Sequence, residues 1–394
     1  MAKKTLRDVE VKGKKVFVRV DFNVPLDQQG KVTDDTRIRA VLPTIEYLLA
    51  RGAAVILASH LGRPKGRPDV RFTLRPVAAR LGELLGREVL FAGEAVGPDA
   101  ETAARQLRPG DVLLLENVRF YPEEENNDPE FASKLAALAD LYVNDAFGTA
   151  HRAHASTVGI TAYLPAVAGF LMEKELETLG RLLSNPERPF VAVIGGAKIS
   201  DKIKVLERLI EKADFLLIGG GMANTFLAAQ GYNLQASLVE TDKLDVARSL
   251  LAKAGAGDGR VVLPVDLVVA PELGRADVRT NVPVDRIPAG WGAFDIGDET
   301  LNLFAEKLAT ARTIFWNGPV GLFEVVGFDT GTLELAKKIA AADATTVIGG
   351  GDTIAALKRA GVADKVTHAS TGGGASLKLL EGRELPGVAA LQDR

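Results

Sequence analysis

Apolar positions change rhythm along the chain. Residues 15–20 (KVFVRV) alternate with a period of two, and residues 54–58 (AVILA) and 112–115 form short unbroken apolar runs. Both patterns predict strands, as do the shorter runs at 89–91 and 141–143. Between them, Ile38, Val41, Leu42, Ile45, Leu48 and Leu49 recur at helical spacing within 36–50. Residues 74–85, 100–107 and 129–138 also read as helical. Strands that alternate with helices predict βα units, hence an α/β fold with a mainly parallel sheet covered on both faces.

The alternation pauses between about 157 and 189. Residues 170–183 (FLMEKELETLGRLL) form one helical run, stopped by Asn185-Pro186 and Arg188-Pro189. We read this helix as a joint between two domains. Beyond it the βα pattern resumes, and its strands end in glycine: 190–194 in GGAK, 215–218 in GGGMANT, 313–316 in NGPVG, 347–348 in GGGDT and 365–369 in STGGGAS. Residues 261–264 and 267–270 are further strands. Glycine lets a ligand approach the backbone, and a helix start offers free N–H groups to a phosphate. A tight βα turn also needs glycine for steric reasons, so the repetition carries more weight than any one junction. Ligands of open parallel sheets bind outside the carboxyl ends of strands.

Strand ends of the first half carry different chemistry. Asp21 and Asn23, His60 and Arg63, Arg119 and Arg152 follow successive strands, and Arg37 opens the first helix. Singly, each arginine is an ordinary surface charge. Sharing one sheet edge, they make a site for a small anion, with arginine suited to bidentate phosphate and carboxylate contacts. In the second half, Lys198 and Lys202 are four positions apart at a glycine-turn helix start, which could place them on one face. Asp352 follows the GGG of GGGDT, where it could meet a metal carried by nucleotide phosphates or simply cap the helix. One domain for an anion and one for phosphates suggest phosphoryl transfer between a nucleotide and a small acidic substrate.

Composition narrows this little. A chain of 394 residues with 47% apolar and 25% charged residues suggests about two or three ordinary globular domains. Lysine plus arginine is 48 against 51 aspartate plus glutamate, a net charge of -3, so no general nucleic-acid or anionic-membrane binding is expected. The absence of cysteine excludes thiolate catalysis, disulfides and cysteine-ligated metals, and is compatible with a reducing cytosol. No run of ~18 apolar residues predicts a membrane span, and the first residues do not read as a signal peptide.

Competing motifs fail on spacing. GGAKIS and GGGMAN lack the G-x-G-x-x-G of a dinucleotide-binding turn, and in GGGDTI isoleucine stands where its last glycine belongs. No G-x-x-x-x-G-K-[ST] is present. A two-domain binding protein would explain the joint and the anion site but not the repeated glycine junctions.

RVDFNVP, TRIRA, SHLGRP, ENVRF, NDAFGTAHRAH, GGAKISDKI, GGGMANTF, WNGPVGLFE, GGGDT and STGGGASL occur in this order across essentially the whole chain. Together they resemble the phosphoglycerate kinase family. The resemblance implies two Rossmann-like, doubly wound parallel-sheet domains joined by a long helix. These would be a 3-phosphoglycerate domain at 1–169 with a returning tail at about 380–394, the joining helix at 170–185 and a nucleotide domain at 186–379. It implies reversible transfer of the acyl phosphate of 1,3-bisphosphoglycerate to MgADP, giving 3-phosphoglycerate and MgATP, in the cytoplasm and by a monomer. The substrate site would comprise Asp21, Phe22, Asn23, Arg37, His60, Leu61, Gly62, Arg63, Arg119 and Arg152. Arg37, Lys198, Gly372, Gly373 and Gly374 would attend the transferring group. Nucleotide contacts would come from Lys202, Gly219, Gly220, Ala293, Asn317, Glu324, Gly350, Gly351, Asp352 and Thr353, with Asp352 toward Mg²⁺. Ala293 departs from the family's usual glycine beside the adenine, and Asn224 takes no role. The acceptor carboxylate is already ionised at neutral pH, so no general base is expected.

Overall fold

A computed structural model describes residues 2–255 and 259–394. Two compact units divide the chain. Unit 1 runs to Glu177 and takes in Arg383–Arg394, and unit 2 is Thr178–Gly382.

Unit 1 contains β1 (Lys15–Arg19), α1 (Thr36–Ala50), β2 (Ala54–Ala58), α2 (Arg75–Leu85), β3 (Leu90–Ala92), α3 (Pro98–Gln106), β4 (Val112–Leu115), α4 (Pro122–Glu125), α5 (Pro129–Ala136), β5 (Leu141–Asn144) and β6 (Ala166–Ala168). The sheet is six-stranded and parallel, in the order β3-β4-β2-β1-β5-β6. Every residue of β2 and β4 is buried, as expected of parallel strands covered on both faces. The short β6 was not foreseen, because AVA differs little from its surroundings.

The helix α6 (Phe170–Ser184) contains the boundary between the units. Its first turn is tied into unit 1. Phe170 N donates to Thr44 Oγ1 at 3.0 Å, and Met172 N donates to Asp145 Oδ1 at 3.0 Å. Burial raises the pKa of the Asp145 carboxyl to about 7, against the opposing pull of hydrogen bonds from the Thr44 hydroxyl and the Met172 and Leu171 backbone.

Unit 2 contains β7 (Phe190–Ile194), α7 (Ile203–Lys212), β8 (Phe215–Ile218), α8 (Gly221–Ala229), α9 (Leu244–Lys253), β9 (Val261–Val262), β10 (Asp266–Ala270), β11 (Thr280–Pro283), β12 (Gly292–Ile296), α10 (Asp298–Thr310), β13 (Thr313–Asn317), α11 (Thr330–Ala340), β14 (Thr345–Gly349), α12 (Gly351–Arg359), β15 (His368–Ala369) and α13 (Gly374–Leu380). Its main sheet is parallel, in the order β15-β14-β13-β7-β8-β9. Counted within the unit this is the 3-2-1-4-5-6 order of dinucleotide-binding folds, with the switch point between β7 and β13.

A second sheet, β11-β10-β12, is antiparallel and three-stranded. The strand expected at 267–270 therefore belongs to this side sheet and not to the parallel one. Leu267, Val269, Val284 and Ile287 give it a small core of its own with Leu227 and Leu234. The last segment returns to unit 1 through α14 (Pro386–Ala389). There Gly387 N donates to Ala150 O at 2.8 Å and Gln392 N to Ala166 O at 3.0 Å.

Candidate active site

At the carboxyl ends of β1 and β2, unit 1 gathers cations around one carboxylate. Arg37, in the first turn of α1, donates from Nη1 to Asp21 Oδ2 at 2.6 Å. Asp21 Oδ1 lies 3.9 Å from His60 Nδ1 and also accepts from Asn23 N at 3.3 Å. Asn23 Oδ1 in turn accepts from Gly62 N at 2.9 Å. Phe22 N donates to Ser59 Oγ at 2.8 Å. The loop after β2 is thus fastened to the loop after β1.

Arg119 fastens it from the other side, donating from Nη1 to Gly62 O at 3.0 Å. Asn117 Nδ2 donates to Leu61 O at 2.8 Å. Arg119 is almost wholly buried, and its Nε has no hydrogen-bond partner; the nearest carboxylate, Glu125, is 3.6 Å away. Burial, then the charges of Arg19 and Arg152, pull its guanidinium down to about 10. Arg152 is half-buried and donates from Nε to His151 Nε2 at 3.3 Å.

His60 records the convergence. Burial first, then Arg19, Arg119, Arg37 and Arg152, push its pKa well below the ordinary 6.5. It is neutral at physiological pH. Arg19 Nη2 stands 3.4 Å from His60 Nδ1, which assigns Nδ1 as acceptor and leaves the proton on Nε2. Arg63 does not join this network: it is exposed and, among the described residues, makes no hydrogen bond or ion pair.

Arg19 was missed. It lies in KVFVRV, where alternation absorbed it into a strand, yet it is fully buried. Its Nε donates to Ser156 Oγ at 2.7 Å and its Nη1 to Val20 O. The usable signal was an arginine among inward-facing apolar positions, since a buried guanidinium needs a purpose or a partner.

In unit 2 the glycine turns of neighbouring strands press on one another. A Cβ on Gly195 would overlap Pro319 O, and one on Gly318, at φ +96, would overlap Gly195 O. A Cβ on Gly219 would stand 2.6 Å from Val320 Cβ. Glycine at these ends is therefore required by packing alone. Gly351 and Gly373 have open space where a Cβ would go.

Lys202 sits at the switch point. Its Nζ donates to Gly195 O at 2.7 Å and Asn317 O at 3.1 Å, the first carbonyl beyond β7 and the last on β13. Burial lowers its pKa from 10.5 to about 8, with Asp201 and Asp352 opposing. The two lysines do not share a helical face, as their spacing had suggested. α7 begins only at Ile203, Lys202 turns inward and Lys198 is exposed. Nor does Asp352 cap its helix: Gly350 takes that place and leaves Asp352 exposed in the first turn.

A cavity of about 290 Å³ in unit 2 is lined by Gly220, Ala293, Glu324 and Asp352, together with Leu238 and Val320. The parallel sheet supplies one wall and the unforeseen side sheet the other. Ala293 N is held by Ser237 Oγ at 2.9 Å. Asn224 also lines it, although its sequence context gave no reason to expect this. Below Asp352, Thr353 Oγ1 accepts from Gly318 N at 2.7 Å. Asn317 Nδ2 approaches Gly350. Gly372 N donates to Ser370 Oγ at 3.1 Å beyond β15, the strand next to β14. Gly373, at φ +50, and Gly374 open α13. Among the described residues, no cluster of three or more His, Asp or Glu side chains could hold a metal. No helix among them is long and apolar enough to cross a membrane.

Residues 6–383 match the family model described as phosphoglycerate kinase. The phosphoglycerate kinase of Desulforudis audaxviator is 75% identical over all 394 residues, covering 100% of each chain. That of Pelotomaculum thermopropionicum is 60% identical, again over 100% of each. Among solved structures, phosphoglycerate kinase from Coxiella burnetii superposes with a TM-score of 0.89 at 42% identity, covering 98% of both chains.

Proposed function

The chain belongs to the phosphoglycerate kinase family, and from that premise we propose how its residues divide the reaction. The enzyme is a glycolytic phosphotransferase that acts on phosphoglycerate with ATP and ADP. Unit 1 holds 3-phosphoglycerate and unit 2 the nucleotide.

One observation carries the assignment of unit 1. Arg119 is buried, its Nε lacks a hydrogen-bond partner and it stands beside Arg19 and Arg152; with Arg37 these make four guanidiniums around neutral His60, against the carboxylates of Asp21, Glu124 and Glu125. Such crowding is unfavourable until an anion enters. Asp21 holds Arg37 in place, and neutral His60 offers its Nε2–H to the same ligand. Arg63, exposed on the neighbouring loop, closes over the substrate.

In unit 2 the base and ribose occupy the cavity between Ala293, Gly220 and Glu324. Compared with glycine, the Ala293 methyl narrows the base end. The phosphates run past Gly350, Gly351 and Thr353 to Lys202 and Asn317. Asp352 is the exposed carboxylate at that end, and it fits a Mg²⁺ ion carried by the phosphates. Such an ion would neutralise phosphate charge. The carboxylate of 3-phosphoglycerate attacks the γ-phosphorus of ATP without a general base, as the bond to the β–γ bridging oxygen breaks and ADP leaves. When the two units close, Arg37, Lys198 and the helix start at Gly372, Gly373 and Gly374 offset charge on the transferring group. We propose a monomer, working in the cytoplasm where glycolysis runs; sedimentation velocity would show a dimer if this is wrong. An assay with ATP, Mg²⁺ and 3-phosphoglycerate, coupled to consumption of 1,3-bisphosphoglycerate, tests the reaction. Absence of turnover in folded protein overturns it.

A further inference from the structure

Glu240 holds the loop that carries Lys198. Its Oε2 accepts from Ile199 N at 2.6 Å and from Ser200 N at 3.2 Å, and its Oε1 accepts from Ser200 Oγ at 2.5 Å. The Ile199 side chain is fully buried, which anchors the same point from below. On the other side of Lys198, Gly196 N donates to Pro319 O at 2.9 Å, and Gly196 O accepts from Met222 N at 3.0 Å. Lys198 thus stands on a short span pinned at both ends, with its own side chain exposed.

Glu240 is itself fixed. Its backbone N donates to Oγ1 of the buried Thr225, on α8, at 3.1 Å. Just upstream, Ser237 holds Ala293 and Leu238 lines the cavity. Residues 237–240 therefore join the base end of the cavity to the lysine loop.

We propose that Glu240 is a positioning residue for phosphoryl transfer: through Ile199 and Ser200 it fixes the backbone from which Lys198 reaches the transferring group. The inference rests on the role given to Lys198 above. A carboxylate is suited to this work, because charge-assisted hydrogen bonds to backbone N–H groups are stronger than neutral ones. The loop needs such a clamp, since Gly196 at φ +124 gives it freedom that an L side chain would deny. Misplacing a catalytic group by ~1 Å can cost roughly a hundredfold in rate.

The test is a double-mutant cycle on the full-length enzyme, with thermal unfolding measured for each variant. Glu240→Ala is expected to lower kcat roughly ten- to hundredfold, with KM for ATP and for 3-phosphoglycerate within about twofold of wild type. Glu240→Gln, which keeps one acceptor, and Ser200→Ala, which loses only the hydroxyl contact, should fall between. In a Lys198→Ala background, Glu240→Ala should have no further effect. If Lys198→Ala lowers kcat and Glu240→Ala lowers it again by the full factor, the positioning role is overturned and Lys198 stands. If Lys198→Ala leaves kcat unchanged, the role of Lys198 fails and the inference falls with it. A rise in nucleotide KM at constant kcat, or a folded Glu240→Ala enzyme with wild-type kcat, also overturns the inference.

Discussion

Replacing Lys202 with methionine should remove a proton-linked step from nucleotide binding. In the free protein its ammonium is buried against Gly195 O and Asn317 O, with no ion-paired carboxylate among the described residues. The fall from 10.5 to about 8 corresponds to about 3 kcal/mol of preference for the neutral amine. A polyphosphate at the switch point supplies the missing countercharge and restores the ammonium. Binding should then take up roughly half a proton at pH 8 and roughly nine-tenths at pH 9. Nucleotide affinity should weaken as pH rises above 8, because each binding event must first recharge the lysine. Calorimetry of ATP binding in buffers of different ionisation enthalpy measures the uptake directly. Lys202→Met should bind more weakly at pH 7 and lose the uptake at pH 9. The unliganded protein supplies a second check. Its unfolded state holds more protons than the folded one between about pH 8 and 10.5, so Lys202 makes stability rise with pH across that window. Lys202→Met should flatten that rise. Wild-type binding at pH 9 without proton uptake, or equal uptake by the variant, would refute the placement of phosphate at Lys202.

Three further outcomes follow from the site and the joint. Arg37→Ala should lower kcat by roughly a hundredfold or more while leaving ATP affinity within about twofold; a near-normal kcat removes Arg37 from the transferring group. Asp145 is raised from 3.8 to about 7, so its contribution to stability is full below about pH 4 and lost as pH rises through 7. Asp145→Asn should flatten that loss in urea unfolding at pH 5 and pH 8, and an unchanged slope excludes Asp145 as its source. ATP and 3-phosphoglycerate together should compact the protein more than either alone in small-angle scattering; equal radii in all states argue against closure.

How much of this was legible depended on what each residue was competing with. The βα order was plain because strands such as Ala54–Ala58 are unbroken apolar runs and helices such as Thr36–Ala50 bury a regular stripe, Ile38, Val41, Ile45 and Leu48. The gathering of Asp21, Arg37, His60 and Arg119 was legible because these residues follow strand ends or open the first helix, where a repeated charge has no packing reason to recur. Arg19 was hidden by the opposite circumstance: inside a strand its charge is masked by the alternation around it. The glycine junctions were read correctly as strand ends, but the crowding of Gly195, Gly219 and Gly318 shows that several of them report packing between turns. The side sheet was the least legible element. Its edge strand Thr280–Pro283 is largely exposed and polar, so neither rhythm marks it.

The order of segments along the chain also bears on how the protein is made. Unit 2 is inserted within unit 1, whose final piece, Arg383–Arg394, is synthesised last. That piece supplies the Gly387 and Gln392 donors to Ala150 and Ala166, and Asn144 Nδ2 reaches Gly387 O at 3.3 Å. On the ribosome, unit 2 has its whole sequence available before unit 1 does. A released chain truncated after Gly382 would keep the residues that line the nucleotide cavity while Ala150, two residues from Arg152, lacked its partner. Loss of this last piece should therefore weaken phosphoglycerate binding more than nucleotide binding.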